Sequence, residues 1–285
     1  MRLFIILSLA LLTLVGSVAH YNVAYSQALE EGKAGILLTP TRLVLEGRQR
    51  SGMISVANNG TGEGTYRAEL VNRRMLETGG FEEVVEPLEG EKFADEFLRI
   101  SPRRFTLRAG QHQNVRILAR KPADLEEGEY RSHLRFVIVP PSLPASENDN
   151  SETLSISIRA NFGMSIPVIV RHGAIQGGVA IDGLKYSPAS AENENRQKIS
   201  FEMQRSGKAS VYGDLKIVYQ PSSGDEVVIK SMGGIAVYAP NQKRFFDLDL
   251  NVPDGVNLDQ GTIKVIYSEK ENAGGGLIAQ KSLKL

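Results

Sequence analysis

The longest regular pattern of apolar and polar residues in the chain runs from residue 154 to residue 170. Apolar side chains occupy nearly every even position of this stretch, LSISIRANFGMSIPVIV, and polar side chains occupy most odd positions of its first part. Alternation with a period of two is typical of a β-strand with one buried face. Strands usually have about five or six residues, whereas this one would span about 55 Å at ~3.3 Å per residue. The pattern predicts a strand longer than the body of an ordinary sandwich domain.

The rest of the chain consists of shorter apolar and alternating segments that end at Gly, Asn or Pro. Examples are GILLTPTRLVLEG, GMISVANNG and FLRISPRRFTLRAG in the first half, and QKISFEMQRSG and FFDLDLNV in the second. Short strands with turn residues between them are typical of β-sandwiches, and no long stretch has helical period. The sequence predicts an all-β fold of two immunoglobulin-like β-sandwich domains. A second row of apolar side chains that point into the core is predicted at Phe246, Leu248, Leu250 and Val252.

The basic residues divide unevenly between the two halves. Residues 34–172 contain 16 Arg and 2 Lys, whereas residues 173–285 contain 3 Arg and 10 Lys. A change of this kind beside the turn RHGAIQGG indicates a domain boundary. We therefore expect an N-terminal immunoglobulin-like domain at 34–172 and a C-terminal immunoglobulin-like β-sandwich at 173–285.

The first residues predict export. Arg2 precedes an apolar run from Leu3 to Ala19, followed by small residues that suit cleavage after Ala19, Ser26 or Ala28. An uncleaved membrane anchor is the alternative, for which the run is short. We expect a signal peptide at 1–28 and no stable membrane insertion after cleavage.

Composition excludes several classes of function. The chain has no cysteine, which excludes disulfides, thiolate catalysis and cysteine-type zinc sites. Lys plus Arg and Asp plus Glu both number 33, so no overall field favours nucleic acid.

No motif assembles a catalytic, metal or cofactor site. The histidines at 20, 112, 133 and 172 lack the helical spacing of a zinc site, and no serine lies in a G-x-S-x-G elbow. The segment DLDLNVPDG loosely resembles a calcium loop, but Val252 stands at the glycine position and Leu258 at the final glutamate position. The four histidines are interpreted as turn or core residues, and the chain is not predicted to be an enzyme.

Two interpretations of the long strand compete. Either it is fully paired within its own sandwich, or its first half pairs with another chain. Residues 154–162 carry Arg159 as their only charge, and the first proline is Pro167, so an exposed edge there would be an aggregation hazard. The length favours pairing with another chain. Gly163 offers a break or bulge between a protruding half, 154–162, and an anchored half, 164–170.

Residues 35–172 resemble the PapD-like periplasmic chaperones of the chaperone–usher pilus pathway. The resemblance rests on an ordered set of segments: LTPTRLVLEG, GMISVANNG, RISPRRFTLRAGQHQNVRILAR, LEEGEYRSHLRFVIVPPS and SIPVIVR. The second half is similar only more loosely, best in RSGKASVYGDL. The ending SIPVIVR looks more like the archaic branch of the family.

The resemblance implies two domains set at an angle around a cleft and a last strand that completes an incomplete pilin-like subunit. The donor residues would be Leu154, Ile156, Ile158, Ala160 and Phe162. The family anchors the C-terminal carboxylate of its client with two basic residues, and the first of these falls on Arg42. The second, a lysine in well-known members, falls near Pro167, where the chain has none. Either another arginine such as Arg171 takes part, or the client is held differently.

The function that this resemblance implies is periplasmic chaperoning of pilin-like subunits and their delivery to an outer-membrane usher, without a cofactor. The free form could cover its edge as a self-capping homodimer. The alternatives are an exported structural or adhesive two-domain β-sandwich protein without a client, and an enzyme on a β-sandwich scaffold.

Overall fold

The computed structural model describes residues 32–140 and 163–285. Within these ranges the regular structure is almost entirely strand, and no helix there is long and apolar enough to cross a membrane. The strands in chain order are β1 (Leu37–Thr39), β2 (Leu43–Leu45), β3 (Ser51–Ala57), β4 (Gly64–Val71), β5 (Arg73–Met75), β6 (Phe81–Glu83), β7 (Leu98–Ser101), β8 (Arg104–Leu107), β9 (His112–Ala119), β10 (Gly128–Val139), β11 (Gly163–His172), β12 (Gly177–Ser187), β13 (Lys198–Gly207), β14 (Val211–Gln220), β15 (Val227–Val237), β16 (Lys243–Asp249), β17 (Thr262–Ser268) and β18 (Leu277–Lys284).

The first eleven strands build one sandwich and a small hairpin. One sheet has the order β1-β3-β9-β7 and the other β2-β11-β10-β4-β8, while β5 and β6 pair with each other. The alternation within each strand places one row of side chains inward: Ile54 and Val56 of β3 and Val115 and Ile117 of β9 are fully buried in the same core. The predicted one-sided strands of this half are confirmed.

Two segments that look continuous in sequence change sheets at a proline. In FLRISPRRFTLRAG, β7 pairs with β9 whereas β8 pairs with β4. In GILLTPTRLVLEG, β1 pairs with β3 whereas β2 pairs with β11. Pro102 and Pro40 lie at the two corners, where a residue without an N–H cannot continue a ladder. Each segment therefore forms two short strands, and Arg42 lies in the connection between β1 and β2.

The remaining strands build a second sandwich, with sheets β12-β13-β16 and β15-β14-β17-β18. Its core contains Phe246, and Leu248, Leu250 and Val252 pack against that core. The predicted second inward row is confirmed. No hydrogen-bonded ladder among the described residues joins a strand of the first eleven to a strand of the last seven.

The two sandwiches meet through a buried polar contact. The Glu129 carboxylate, with 1% of its side chain exposed, accepts hydrogen bonds from the Ser210 backbone N–H at 3.0 Å, from the Ser210 hydroxyl and from Arg171 Nε at 3.1 Å. Arg171 also donates from Nη2 to the Ser210 carbonyl at 3.1 Å. Hydrogen bonds and an ion pair thus join the end of β11 to the start of the second sandwich, and they limit rotation of one sandwich relative to the other.

Candidate functional site

One edge of β11 is partly open. Strand β10 pairs with the whole of β11, from Gly163 opposite Val137 to His172 opposite Gly128. On the other side, β2 covers only Val168–Val170. Gly163–Pro167 therefore has no strand partner on that side among the described residues. An edge of this kind can accept an added strand.

Toward its C-terminal end, β11 buries its even-numbered apolar side chains in the core of its own sandwich. Ile166, Val168 and Val170 belong to the core of the first sandwich, whereas Met164, of the same parity, is exposed. The anchored half expected at 164–170 is paired along its length, and its register with β10 continues through Gly163 without a shift. A Cβ at Gly163 would lie 2.8 Å from the Phe136 carbonyl oxygen, so this glycine permits close strand approach. The break or bulge expected between residues 162 and 163 borders on the part of the chain that is not described and stays a prediction.

Arg42 lies at the corner between β1 and β2, at the inner end of the open edge. Its guanidinium carbon is 4.6 Å from the ring centroid of Tyr212 in the second sandwich. Nε and Nη2 of Arg42 are buried and have no hydrogen-bond partner. A buried guanidinium without acceptors is costly and favours an anionic ligand with two oxygens.

Further cations surround Arg42 in a cleft of about 600 Å³ between the two sandwiches. Arg73 from the β5–β6 hairpin, Arg244 from β16 and Lys270 line it together with the rings of Phe81, Tyr212 and Tyr238. No Asp or Glu side chain is among the described residues that line this cleft. The cleft thus combines a positive potential with aromatic walls.

Two residues of β10 lie buried next to the cleft. Arg131 is 5% exposed and stacks at 4.3 Å on Tyr238, and its Nε and Nη1 have no hydrogen-bond partner. His133 is 3% exposed and contacts the edge of Phe81. Burial, followed by the charges of Arg131 and Arg73, lowers the pKa of His133 to about 3. His133 is therefore a neutral core residue at neutral pH, as the sequence interpretation expected.

The sequence-predicted anchors Arg42 and Arg171 both border a neighbouring groove of about 860 Å³, but their surroundings differ. Each nitrogen of the Arg171 guanidinium has a partner: Nε binds Glu129 and Nη1 binds Glu46, both at 3.1 Å, and Nη2 binds the Ser210 carbonyl. Two guanidinium nitrogens of Arg42 lack a hydrogen-bond acceptor, whereas every guanidinium nitrogen of Arg171 has one. Arg171 thus serves a contact between the sandwiches in this structure.

The predicted donor residues Leu154, Ile156, Ile158, Ala160 and Phe162 lie outside the described residues, as does the predicted signal peptide at 1–28. Sequence reasoning did not single out Arg73, Arg131 or Arg244. The excess of arginine in the first half pointed toward Arg73 and Arg131 without saying where those side chains gather, and no signal pointed toward Arg244. Within the described ranges no group of three or more His, Asp or Glu side chains could hold a metal ion.

These observations define a class: an all-β chain of two sandwiches with a cationic cleft between them and a half-open strand beside it. Residues 35–171 match the family model of the pili and flagellar-assembly chaperone PapD N-terminal domain, and this part of the chain belongs to that family. No curated protein matches the chain.

Several solved structures have a similar chain path. The CsuC–CsuE chaperone–tip adhesion subunit pre-assembly complex from the archaic Csu pili of Acinetobacter baumannii is 11% identical, with 88% of this chain and 98% of that chain covered and a TM-score of 0.44. The E. coli chaperone DraB is 14% identical, with 88% and 96% covered and a TM-score of 0.41. The SafB chaperone complex with the Salmonella enterica SafA pilin is 16% identical, with 88% and 96% covered and a TM-score of 0.40. The family assignment itself rests on residues 35–171.

Proposed function

We propose that the protein is a periplasmic chaperone that holds pilin-like subunits by donor-strand complementation and delivers them to an outer-membrane usher. The observation that carries the proposal is the open edge at Gly163–Pro167, which ends beside the Nε and Nη2 groups of Arg42, both buried without a hydrogen-bond partner. The family of residues 35–171 supports a role in pilus assembly. The proposal includes export by the leader at 1–28 and two domains divided near residue 172.

In this proposal the last segment of the client adds a strand to the open edge of β11. Main-chain hydrogen bonds supply part of the affinity and fix the register, as in other cases of β-augmentation. The client's terminal carboxylate binds the Nε and Nη2 groups of Arg42, which would otherwise stay buried without an acceptor. Tyr212 holds the guanidinium plane from the second sandwich.

The donor side chains of the proposal are those of residues 154, 156, 158, 160 and 162. They share the parity of Ile166, Val168 and Val170, which face the core of the first sandwich. Side chains of that parity beyond the end of the sandwich can enter the open groove of a client. Burial of each large aliphatic side chain contributes about 1.5–3 kcal/mol. The proposal requires no cofactor, and transfer of the client follows from replacement of one donor strand by another.

The test is purification of the affinity-tagged chain from the periplasm of its own host, with the partner identified by mass spectrometry. Four forms are compared: wild type, the double variant Ile156→Asp/Ile158→Asp, Arg42→Gln, and the control Arg48→Gln. Arg48 is an exposed turn residue outside the cleft. We expect one small subunit at a 1:1 ratio with wild type and Arg48→Gln, and its loss from the other two forms.

Circular dichroism and thermal melting of the four forms establish that each is folded. Equal recovery of the subunit with all four forms would contradict the proposal. So would the absence of any stoichiometric subunit when the wild-type chain is produced with its genetic neighbours. Either result would favour a structural or adhesive protein without a client.

A further inference from the structure

We infer that the cleft recognises a second carboxylate, on an acidic side chain about two residues before the client's C-terminus, and that Arg73 binds it. This inference rests on the proposed function, because it concerns the chemistry of the client's last residues. It assigns to Arg73 a role in specificity that differs from the role of Arg42 in holding the terminal carboxylate.

The side chains that line the cleft carry an excess of positive charge. Four cationic side chains line it, Arg42, Arg73, Arg244 and Lys270, and no described acidic side chain does. Lys270 has Asp214 at 3.7 Å, whereas the three arginines form no ion pair with a described residue. One terminal carboxylate neutralises one of these charges and leaves the other half-buried cations together in the cleft. A second anion lowers the cost of holding them there.

The acids around the cluster already have cationic partners: Glu83, opposite Arg73 in the β5–β6 hairpin, is 3.4 Å from Arg135, and Asp214 is 3.7 Å from Lys270. Glu91 receives two hydrogen bonds from Arg74, at 2.6 and 2.8 Å. Glu129 is bound to Ser210 and Arg171. The buried guanidinium of Arg131, next to the cleft, adds positive potential, which Glu91 and Glu129 offset only in part because each is already bound to another arginine.

Geometry along β11 gives the position of the second carboxylate. In the parallel pairing of β2 and β11, Leu43 lies opposite Val168, so Arg42 falls opposite Pro167. Arg73 Nη1 is 3.0 Å from Ser165 Oγ, two residues nearer to the start of the open edge. Two residues of strand span about 6.6 Å. A strand with its terminal carboxylate at Arg42 therefore passes Arg73 about two residues before its end.

The present contacts of Arg73 leave its guanidinium able to bind a carboxylate. It has the Ser165 hydroxyl and the face of Phe81 as neighbours, at 3.0 and 5.6 Å. The adjacent Arg74, by contrast, is paired with Glu91 and Glu82, and Arg135 with Glu69 and Glu83. A neutral hydroxyl can be exchanged for a carboxylate at little cost, and the carboxylate makes a stronger, charge-assisted bond with the guanidinium.

The test uses acetylated heptapeptides and the mature full chain. The reference peptide is acetyl-Thr-Val-Thr-Val-Asp-Thr-Val with a free C-terminus. A second peptide has Asn in place of Asp, and a third has a C-terminal amide. Binding of each is measured by isothermal titration calorimetry to wild type, Arg73→Gln, Arg42→Gln and the control Arg48→Gln. We expect the Asp peptide to bind wild type and Arg48→Gln at least tenfold more tightly than the Asn peptide.

Arg73→Gln should remove the preference for Asp while the preference for the free acid over the amide remains, and Arg42→Gln should do the reverse. If the free acid is preferred through Arg42 but Asp and Asn peptides bind wild type equally, the inference is overturned and the proposed function stands. If the Asp peptide with a free C-terminus binds wild type no better than its C-terminal amide, both are overturned. A preference for Asp that survives Arg73→Gln also overturns the assignment to Arg73.

Discussion

Replacement of Arg171 by leucine tests the contact that joins the two sandwiches. The change removes the cation that forms an ion pair with the Glu129 carboxylate, which is 1% exposed. Glu129 keeps the two Ser210 donors but loses its ion pair, and only the more distant charges of Arg131 and Arg205 still act on it. Loss of one partner from a buried ion pair typically costs about 3–5 kcal/mol. Because 23% of the Arg171 side chain is exposed, we expect the lower end, about 3 kcal/mol.

The measurement is differential scanning calorimetry of the mature chain at neutral pH. About 3 kcal/mol corresponds to a fall in Tm of roughly 6–12 °C for a domain of this size. The matched control is Arg196→Leu, which breaks an ion pair with Asp249 in which the two side chains are 56% and 36% exposed. A surface pair of this kind contributes about 0–1 kcal/mol. If Arg171→Leu and Arg196→Leu lower the free energy of unfolding equally, the contact does not stabilise the molecule as argued.

Two further results are expected. Burial lowers the pKa of His133 to about 3, so its contribution to stability is present above the unfolded pKa of about 6.5 and is lost as the pH falls toward 3. Between pH 7 and pH 5 the free energy of unfolding of the wild type should fall by about 2 kcal/mol through this residue, and that of His133→Phe should not. Urea titrations at the two pH values measure the change, with His112→Phe, a variant of an exposed residue, as control. An equal fall in wild type and His133→Phe would refute this. Tyr212→Leu removes the ring 4.6 Å from Arg42 and should weaken client retention about tenfold in a pull-down. Because Tyr212 also packs against a buried apolar cluster, a melting curve establishes that the variant is folded at the assay temperature. Unchanged retention would show that Tyr212 does not position Arg42.

The fold was predictable because strand alternation and turn residues are local signals. The inward rows at Ile54, Val56 and Phe246 could be assigned from parity alone. Parity states which side of a strand is buried but not which sheet the strand joins. The sheet changes at Pro40 and Pro102 were therefore missed, because each depends on pairing with a strand distant in sequence.

The candidate site was only partly predictable. Arg42 was found through the resemblance of PTRLVLEG to a family motif, whereas Arg73 and Arg244 gather beside it through tertiary contacts that the sequence does not encode locally. Arg171 shows the same limit. Its partners Glu46 and Glu129 lie 125 and 42 residues away in the chain, so no local pattern indicated that its guanidinium is already bound.

The short strand β2 has a consequence for the length of any segment that binds beside it. It occupies the edge of β11 from Val168 onward, so a chain entering along Gly163–Pro167 meets a fixed stop. A client tail one residue longer or shorter would turn its inward side chains outward, since neighbouring residues of a strand face opposite ways. If the proposed function holds, the end of β2 selects the tails of clients by their length as well as by their sequence.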